Sequence, residues 1–295
     1  MKENNNNNLA IVILNYNDYE LTIANVNKLI EQNVKYPIII VDNQSLNDSY
    51  KILQDEFNAK LNIDVIQSDK NGGYSYGNNF GIKYAEKKYH LLDYICIMNP
   101  DITINDKYIF KNLINILESN EEYALATGVQ KLDDKMLYGW DLPNYWKVVF
   151  GESIIVNFYK KIYSRTKFNI GRKNIITPDV ISGCFFVIKL DVFKKVNYFD
   201  ENVFLYYEEN ILSFKLKRLG LKCVIDLSQI FNHNHKHKKW NLKSLSKNYS
   251  VLLDSKIYYC KNYLDKRTIF NIYLAALIHK YIEIPFMSLV YSLKK

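Results

Sequence analysis

The sequence predicts an α/β protein: a mostly parallel central sheet flanked by helices, with amphipathic helices at the C-terminus. Three observations carry this. Apolar, β-branched runs at 9–14, 38–41 and 63–66 alternate with helix-period segments, the pattern of βαβ units. The first run, Leu-Ala-Ile-Val-Ile-Leu, is apolar throughout, as suits a strand buried on both faces. The run from Tyr94 to Met98 stops abruptly at Asn99-Pro100-Asp101, where Pro100 has no N–H for a ladder.

The elements follow in chain order. Asn4 to Asn8 lie in a polar tract, residues 1–8, expected to be disordered. Strand 9–14 leads into Asn15-Tyr16-Asn17-Asp18. Asp18 is a good N-cap for a helix over 19–32. Pro37 opens a second strand at 38–41, ending in Asp42-Asn43-Gln44-Ser45. Asp48 is placed to cap a helix over 49–57, and 63–66 is a third strand. Residues 68–81 are glycine-rich but lack GxGxxG spacing, so no dinucleotide fingerprint is present. Gly72-Gly73 allows a sharp turn or close approach to a ligand. The following helix, 75–87, is expected to point free N–H groups above the sheet, although Gly-Gly before a helix is commonly only a turn.

After strand 94–98 come a helix over 106–117 and a strand at 123–127. Residues 131–177 form a long excursion with Trp140, Pro143, Trp146 and a basic stretch ending at Lys173. Loops of this length are uncommon unless functional. Its aromatics either stack on a sugar or pack the excursion onto the domain. Strand 180–188 is interrupted by Ser182-Gly183, a mark of close approach by ligand or backbone. A short helix at 191–196 precedes the run Phe204-Leu205-Tyr206-Tyr207-Glu208-Glu209. A helix over 211–219 is closed by Gly220, and 222–227 is the last strand. Two helical segments, 242–264 and 268–293, finish the chain.

Composition narrows the partners. At 295 residues, 48% hydrophobic and 15% aromatic, the chain has ample material for a core. A net charge of +8 suits an anionic partner, but the Lys excess is diffuse and does not indicate nucleic acid. Cys96, Cys184, Cys223 and Cys260 form no CxxC pair, which predicts buried free thiols in a reducing compartment.

Three places invite chemistry. Asp101 lies just beyond the carboxyl end of a strand, where open α/β sheets bind ligands. It either holds a metal ion or ligand hydroxyl, or simply caps a turn. Glu208 and Glu209 precede a helix, a position worth about 0.3–1 kcal/mol to a carboxylate. Two adjacent glutamates after an aromatic run also suit a general base. His233, His235 and His237 alternate, so an extended backbone points them one way. They read as a metal site or as a solvated basic loop. The final helix is broken by Asn271, His279, Lys280 and Glu283, so it does not qualify as a membrane span. It lies in a membrane interface, helped by Lys294 and Lys295, or packs on the domain or between copies of the chain.

Together these segments resemble the family 2 glycosyltransferases of GT-A fold, in particular the branch with bacterial rhamnosyltransferases of O-antigen, capsule and cell-wall synthesis. The likeness runs over about residues 9–256. It is carried by Ile13-Leu14-Asn15-Tyr16-Asn17, by Ile40-Val41-Asp42-Asn43-Gln44-Ser45, by Asn71-Gly72-Gly73-Tyr74 through Gly77-Asn78-Asn79-Phe80-Gly81-Ile82, and by Met98-Asn99-Pro100-Asp101. The Phe204 to Glu209 segment looks like the family's F-L-Y-Y-E-D, with Glu209 at the last carboxylate. The family's downstream acidic residue is Ile211 here, and the first acidic position of its D-x-D motif is Asn99.

The resemblance implies a GT-A type, Rossmann-like domain over 9–240, with a nucleotide-binding half (9–128), an acceptor half (129–240) and a helical appendage (241–295). It implies an inverting sugar transfer from a nucleoside-diphosphate sugar, rhamnose favoured, to a glycan or polyprenyl-linked acceptor. Glu209, seconded by Glu208, would act on the acceptor. Asn15, Tyr16, Asn17, Asp42, Asn43, Ser45, Gly72, Gly73, Asn78, Asn79, Asn99 and Asp101 would surround the donor, Asp42 reaching its base. Ser182, Gly183 and Trp140 would lie on the acceptor side. Mg²⁺ or Mn²⁺ would sit on Asp101 with His233 or His235. The expected place of work is the cytoplasm, peripheral at the inner face of the membrane, with the C-terminal helices touching lipid or a second copy.

Overall fold

A computed structural model describes residues 8–151, 174–234, 242–264 and 268–286. Most of the polar tract, the basic stretch ending at Lys173, His235, His237 and residues 287–295 lie outside the described residues. One ten-stranded sheet runs through the molecule. Its first four strands are β1 (Leu9–Asn15), β2 (Ile38–Asp42), β3 (Ile63–Gln67) and β4 (Tyr94–Met98). They are mutually parallel, with β1 between β2 and β4. The helices α1 (Tyr19–Glu31), α2 (Ser49–Phe57) and α3 (Gly73–Lys88) make the crossovers. This is the alternation the sequence predicts.

Beyond β4 the sheet continues through β9 (Phe185–Lys189), β6 (Tyr123–Leu132), β10 (Lys222–His233) and β5 (Ile102–Ile104). β9 is antiparallel to both of its neighbours, so β6 and β10 run the same way as β4. β7 (Lys135–Leu137) pairs with β6 and β8 (Ile175–Ile176) with β10.

Period-2 alternation divides the core. Leu9, Ile11 and Ile13 face one layer with Ile38, Ile40, Cys96 and Met98, under α1, α2 and α4 (Ile109–Glu118). Ala10, Val12, Ile39, Val41, Ile95 and Ile97 face the other, under α3, α6 (Leu190–Lys195) and α7 (Glu208–Arg218). Both faces are covered, which is why these strands read as unbroken apolar runs. All four cysteines are buried free thiols, as expected.

Several local expectations are corrected. Asp18 and Asp48 occupy N-cap positions, but neither side chain makes a capping bond. Helix α4 begins at Ile109 rather than 106, because Asp106 instead accepts from the Tyr108 N–H at 2.9 Å. β5 and β7 are too short to leave a periodic signal. β6 and β10 run past their apolar cores because they pair with each other through a register shift. Strand β9 starts at Phe185, so Ser182-Gly183 lies in the turn before it and does not interrupt it. The C-terminus of α7 ends as expected: Gly220 is left-handed, with Gly220 N–H bonded to Lys217 O and Leu221 N–H to Leu216 O.

Three further helices pack together: α5 (Tyr145–Phe150), α8 (Leu242–Tyr263) and α9 (Thr268–Ile278), the last continuing into a π-turn, His279–Glu283. Val148, Val149, Tyr259, Cys260 and Ile272 enclose Val203, Tyr207 and Ile211. The excursion and the C-terminal helices thus form one cluster around the turn that precedes α7.

Candidate active site

The rim of the sheet begins with Asn15 and Asp42, both fully buried. The Asp42 carboxylate accepts from Asn15 Nδ2 (2.9 Å), Ser45 N–H (3.0 Å), Ser45 Oγ (2.6 Å) and Gln67 Nε2 (3.1 Å). A carboxylate offers about four lone-pair sites, so these four donors occupy it. Asp42 fixes the ends of β1, β2 and β3 relative to one another. The resemblance gave it a contact with the base; in this structure its carboxylate joins the strand ends. Tyr16, by contrast, is 43% exposed, and Asn17 is exposed beside it.

The glycine-rich turn is also tied down. Asn43 donates to Asn71 Oδ1 and to Gly73 O, each at 3.1 Å. Gly73 has φ +87°, and a Cβ there would lie 2.1 Å from the Phe204 carbonyl oxygen. Tyr74 N–H gives its hydrogen to that carbonyl at 2.8 Å. The start of α3 therefore does not present all its free N–H groups to a ligand: one of them holds the segment that leads to Glu208 and Glu209. Gly73→Ala combines a left-handed Ala with a backbone clash. It should cost about 2 kcal/mol or more, read by urea unfolding; an unchanged midpoint would refute the coupling of these two turns.

Farther along α3 the signature is mostly packing. A Cβ on Gly77 would meet Leu14, and one on Gly81 would meet Val41 and Val12, so both glycines let the helix close on the sheet. Asn79, expected near the donor, also serves the frame. It is buried and bonds Phe199 N–H, Phe199 O and Glu201 Oε1, clamping the later loop. Asn78 is likewise buried and bonds Tyr74 O.

A residue singled out by no functional expectation stands at the centre. The Tyr74 hydroxyl donates to Gly183 O at 2.7 Å, with Asn99 Oδ1 a second acceptor at 3.1 Å. Burial pushes this phenol well up, and the charges of Glu208, Cys184, Glu209 and Asp101 push it further. Asn99 N–H bonds Cys184 O at 2.8 Å, joining the strand end of β4 to the turn before β9. Gly183 in turn faces Glu209: a Cβ on the glycine would lie 3.8 Å from the Glu209 Cβ. The aromatic in Asn-x-Gly-aromatic was the available signal for Tyr74.

Helix α7 begins at Glu208, three residues earlier than expected. Tyr206 and Tyr207 before it are both left-handed, at φ +72° and +67°. Such backbone is costly for bulky residues and persists only where the surroundings enforce it. Here Leu205 O accepts from Ser255 Oγ at 2.7 Å, and Tyr207 packs on Tyr259 with ring centroids 5.2 Å apart. Asp200 is bonded by Tyr258 and Tyr263 of α8 at 2.9 and 2.6 Å. Trp140 Nε1 donates to Asn210 Oδ1 at 3.0 Å, which fixes the excursion to the same helix start.

The two glutamates differ. Glu208 is buried, and its Oε2 has no hydrogen-bond partner among the described residues. Burial and the neighbouring Glu209 charge raise its pKa well above the ordinary carboxyl range. Glu209 keeps part of its surface open, and burial raises it to about 7. Ile211 is fully buried in the helix cluster.

Beyond the end of β4, Asp101 Oδ2 lies 3.0 Å from His233 Nε2, and His233 Nδ1 lies 2.7 Å from Gln130 Nε2. Burial opposes charge on His233, but Asp101 and Cys184 outweigh it and the pKa rises to about 10. Among the described residues no group of three His, Cys, Asp or Glu is placed to hold a metal. One carboxylate beside one imidazole fits a divalent ion whose remaining ligands come from phosphate and water. Of the histidine pair expected there, His233 lies beside Asp101 and His235 lies outside the described residues.

Known proteins share this architecture. The chain is 27% identical over 224 residues to rhamnosyltransferase WbbL of Escherichia coli K12, covering 71% of this chain and 80% of that one. It is 25% identical over 218 residues to the low-salt glycan biosynthesis hexosyltransferase Agl10 of Haloferax volcanii, covering 71% and 62% respectively. Among solved structures, GalNAc-T7 with UDP, GalNAc and Mn²⁺ superposes with a TM-score of 0.63 at 14% identity, over 88% of this chain and 48% of that one. This chain thus spans about half of the GalNAc-T7 chain. The mannosyltransferase PcManGT of Pyrobaculum calidifontis, with GDP-Man and Mn²⁺, gives 0.59 at 10% identity, over 97% and 73%. Both likenesses are of fold, and both neighbours are GT-A glycosyltransferases. The model of glycosyl transferase family 2 matches residues 10–196, the greater part of the sequence that builds this cleft, and the chain belongs to that family.

Proposed function

We propose that the chain transfers a sugar, with inversion, from a nucleoside-diphosphate sugar to a hydroxyl of a glycan or polyprenyl-linked acceptor. The observation that carries this is the Tyr74 hydroxyl, which bonds Asn99 of the Asp101 turn and Gly183, with Gly183 set beside Glu209. Glu209 is the base. It takes the acceptor proton as that oxygen forms its bond to the anomeric carbon and the bond to diphosphate breaks. Glu208, buried beside it in the chain, supports it. Mg²⁺ or Mn²⁺ on Asp101 and His233 would neutralise charge on the departing diphosphate. Tyr16, Asn17 and Ser45 offer the partly open surface on the nucleotide side, and Ser182, Gly183 and Trp140 border the acceptor side. The name of the WbbL relative favours rhamnose, and that of Agl10 keeps other hexoses in view.

The test is a thermal-shift screen of nucleotide sugars with Mn²⁺, followed by a transfer or hydrolysis assay on each hit. Binding without turnover on any donor and acceptor would defeat the transferase reading. The rate should also depend on pH. A base with a pKa of about 7 is active when deprotonated, so kcat/KM should climb about tenfold per pH unit below 7 and level off above. The sign for stability is opposite. Folding raises this carboxyl from 4.5, so its contribution is full below that value and is lost as pH rises through about 7.

A further inference from the structure

A run of bare apolar side chains lies along the C-terminal helix. Along α9 and the π-turn, Phe270, Tyr273, Leu274, Leu277, Tyr281 and Ile282 follow helical spacing on one face. Each is 49–76% exposed, while Ile272 and Ala276 on the other face are buried. This helix therefore has two apolar faces, and the fold covers one. Helix α5 continues the surface. Asn271 Nδ2 donates to the Tyr145 hydroxyl at 2.6 Å, and beside it Trp146 is 67% exposed and stacked on Phe150. Single soluble domains rarely leave so long an apolar face bare.

Charge indicates what covers it. Within 268–286 the acidic residue is Glu283, which is buried and bonded to His279, and the exposed charge is Lys280. In the sequence that continues α5, residues 152–173 carry six Lys or Arg and one Glu, and the chain ends in Lys294-Lys295. The sequence on either side of this face is basic, and an anionic lipid surface brings the opposite sign. Trp and Tyr on such a face favour the level of lipid headgroups. Among the described residues no helix is long and apolar enough to cross a membrane, which leaves the plane of the interface.

We propose that α5 and α9 together form one docking face for an anionic membrane surface. Through Val148, Val149 and Ile272 this face packs directly on the cluster that holds Tyr207 and Ile211. The catalytic turn would sit one side-chain layer from the lipid. Docking stands apart from sugar transfer, because it is measured without donor or acceptor.

The experiment is co-sedimentation of the full chain with vesicles of phosphatidylcholine alone or mixed equally with phosphatidylglycerol. Binding is expected to the mixed vesicles and to weaken with salt. The double variant Leu277→Glu/Ile282→Glu should lower partition on the order of tenfold or more, while hydrolysis of a nucleotide sugar without vesicles stays unchanged. Trp146→Ser, on the other helix, should weaken binding in the same direction and serves if the double variant does not fold. Equal binding to neutral and mixed vesicles, or wild-type partition by both variants, would overturn the proposal. So would a vesicle-free dimer, seen by sedimentation equilibrium, that Leu277→Glu converts to monomer with no lipid binding in either form.

Discussion

Glu209→Gln is expected to slow sugar transfer by about 10²–10⁴-fold while donor affinity stays within a factor of about two. Gln matches Glu in size, so the turn through Tyr206 and Tyr207 and the contact with Gly183 are retained. What is lost is the acceptor for the proton, about 3–5 kcal/mol of barrier at 1.36 kcal/mol per decade. Glu208→Gln is the matched control. Its carboxyl is more deeply buried than that of Glu209, so its effect on rate should be much smaller. Glu209→Asp asks a separate question. Shortening the side chain draws the carboxylate back by about 1.5 Å or less, and displacement on that scale costs rate without abolishing base chemistry. Initial transfer rates and donor titrations on the three variants decide the assignment. Near-wild-type turnover by Glu209→Gln would remove it from the mechanism.

Asp101→Asn is expected to abolish the part of donor affinity that depends on Mn²⁺, a loss of at least about tenfold. The structure offers one carboxylate and one imidazole at this point, 3.0 Å apart. Two protein ligands hold a hard cation weakly, so the free protein should bind Mn²⁺ poorly and bind it well only with nucleotide present. Titration calorimetry of Mn²⁺ with and without nucleoside diphosphate reads this directly. Asn preserves shape and a hydrogen-bonding oxygen while removing charge. Tight metal binding by the nucleotide-free chain, or donor binding by Asp101→Asn that still responds fully to Mn²⁺, would contradict the arrangement.

These two side chains come from positions 108 residues apart, and what joins them is a tyrosine. Tyr74 reads in the sequence as one aromatic among 25 tyrosines. Its hydroxyl acquires meaning only when the turn at Gly183 and the strand end at Asn99 are brought beside it. Asn79 shows the reverse. It belongs to the segment that carries the family likeness, yet its amide clamps Phe199 and Glu201. A motif identifies the family because its residues are needed, and holding a loop is as much a need as touching a donor. The start of α7 was misplaced for a related reason: two consecutive left-handed tyrosines have no local signal, since local preference opposes them and packing by α8 enforces them.

The sequence by itself determined the α/β class, the order of the parallel strands and crossover helices in the first hundred residues, and the family. It could do so because strand burial and helix period are local properties of side-chain type and spacing. Tertiary structure alone decided which buried asparagines and carboxylates serve the frame and which face the cleft. It also decided that α5, α8 and α9 close on the turn before Glu208. Those outcomes depend on hydrogen bonds and contacts between residues far apart in the chain, and no short window of sequence contains both partners.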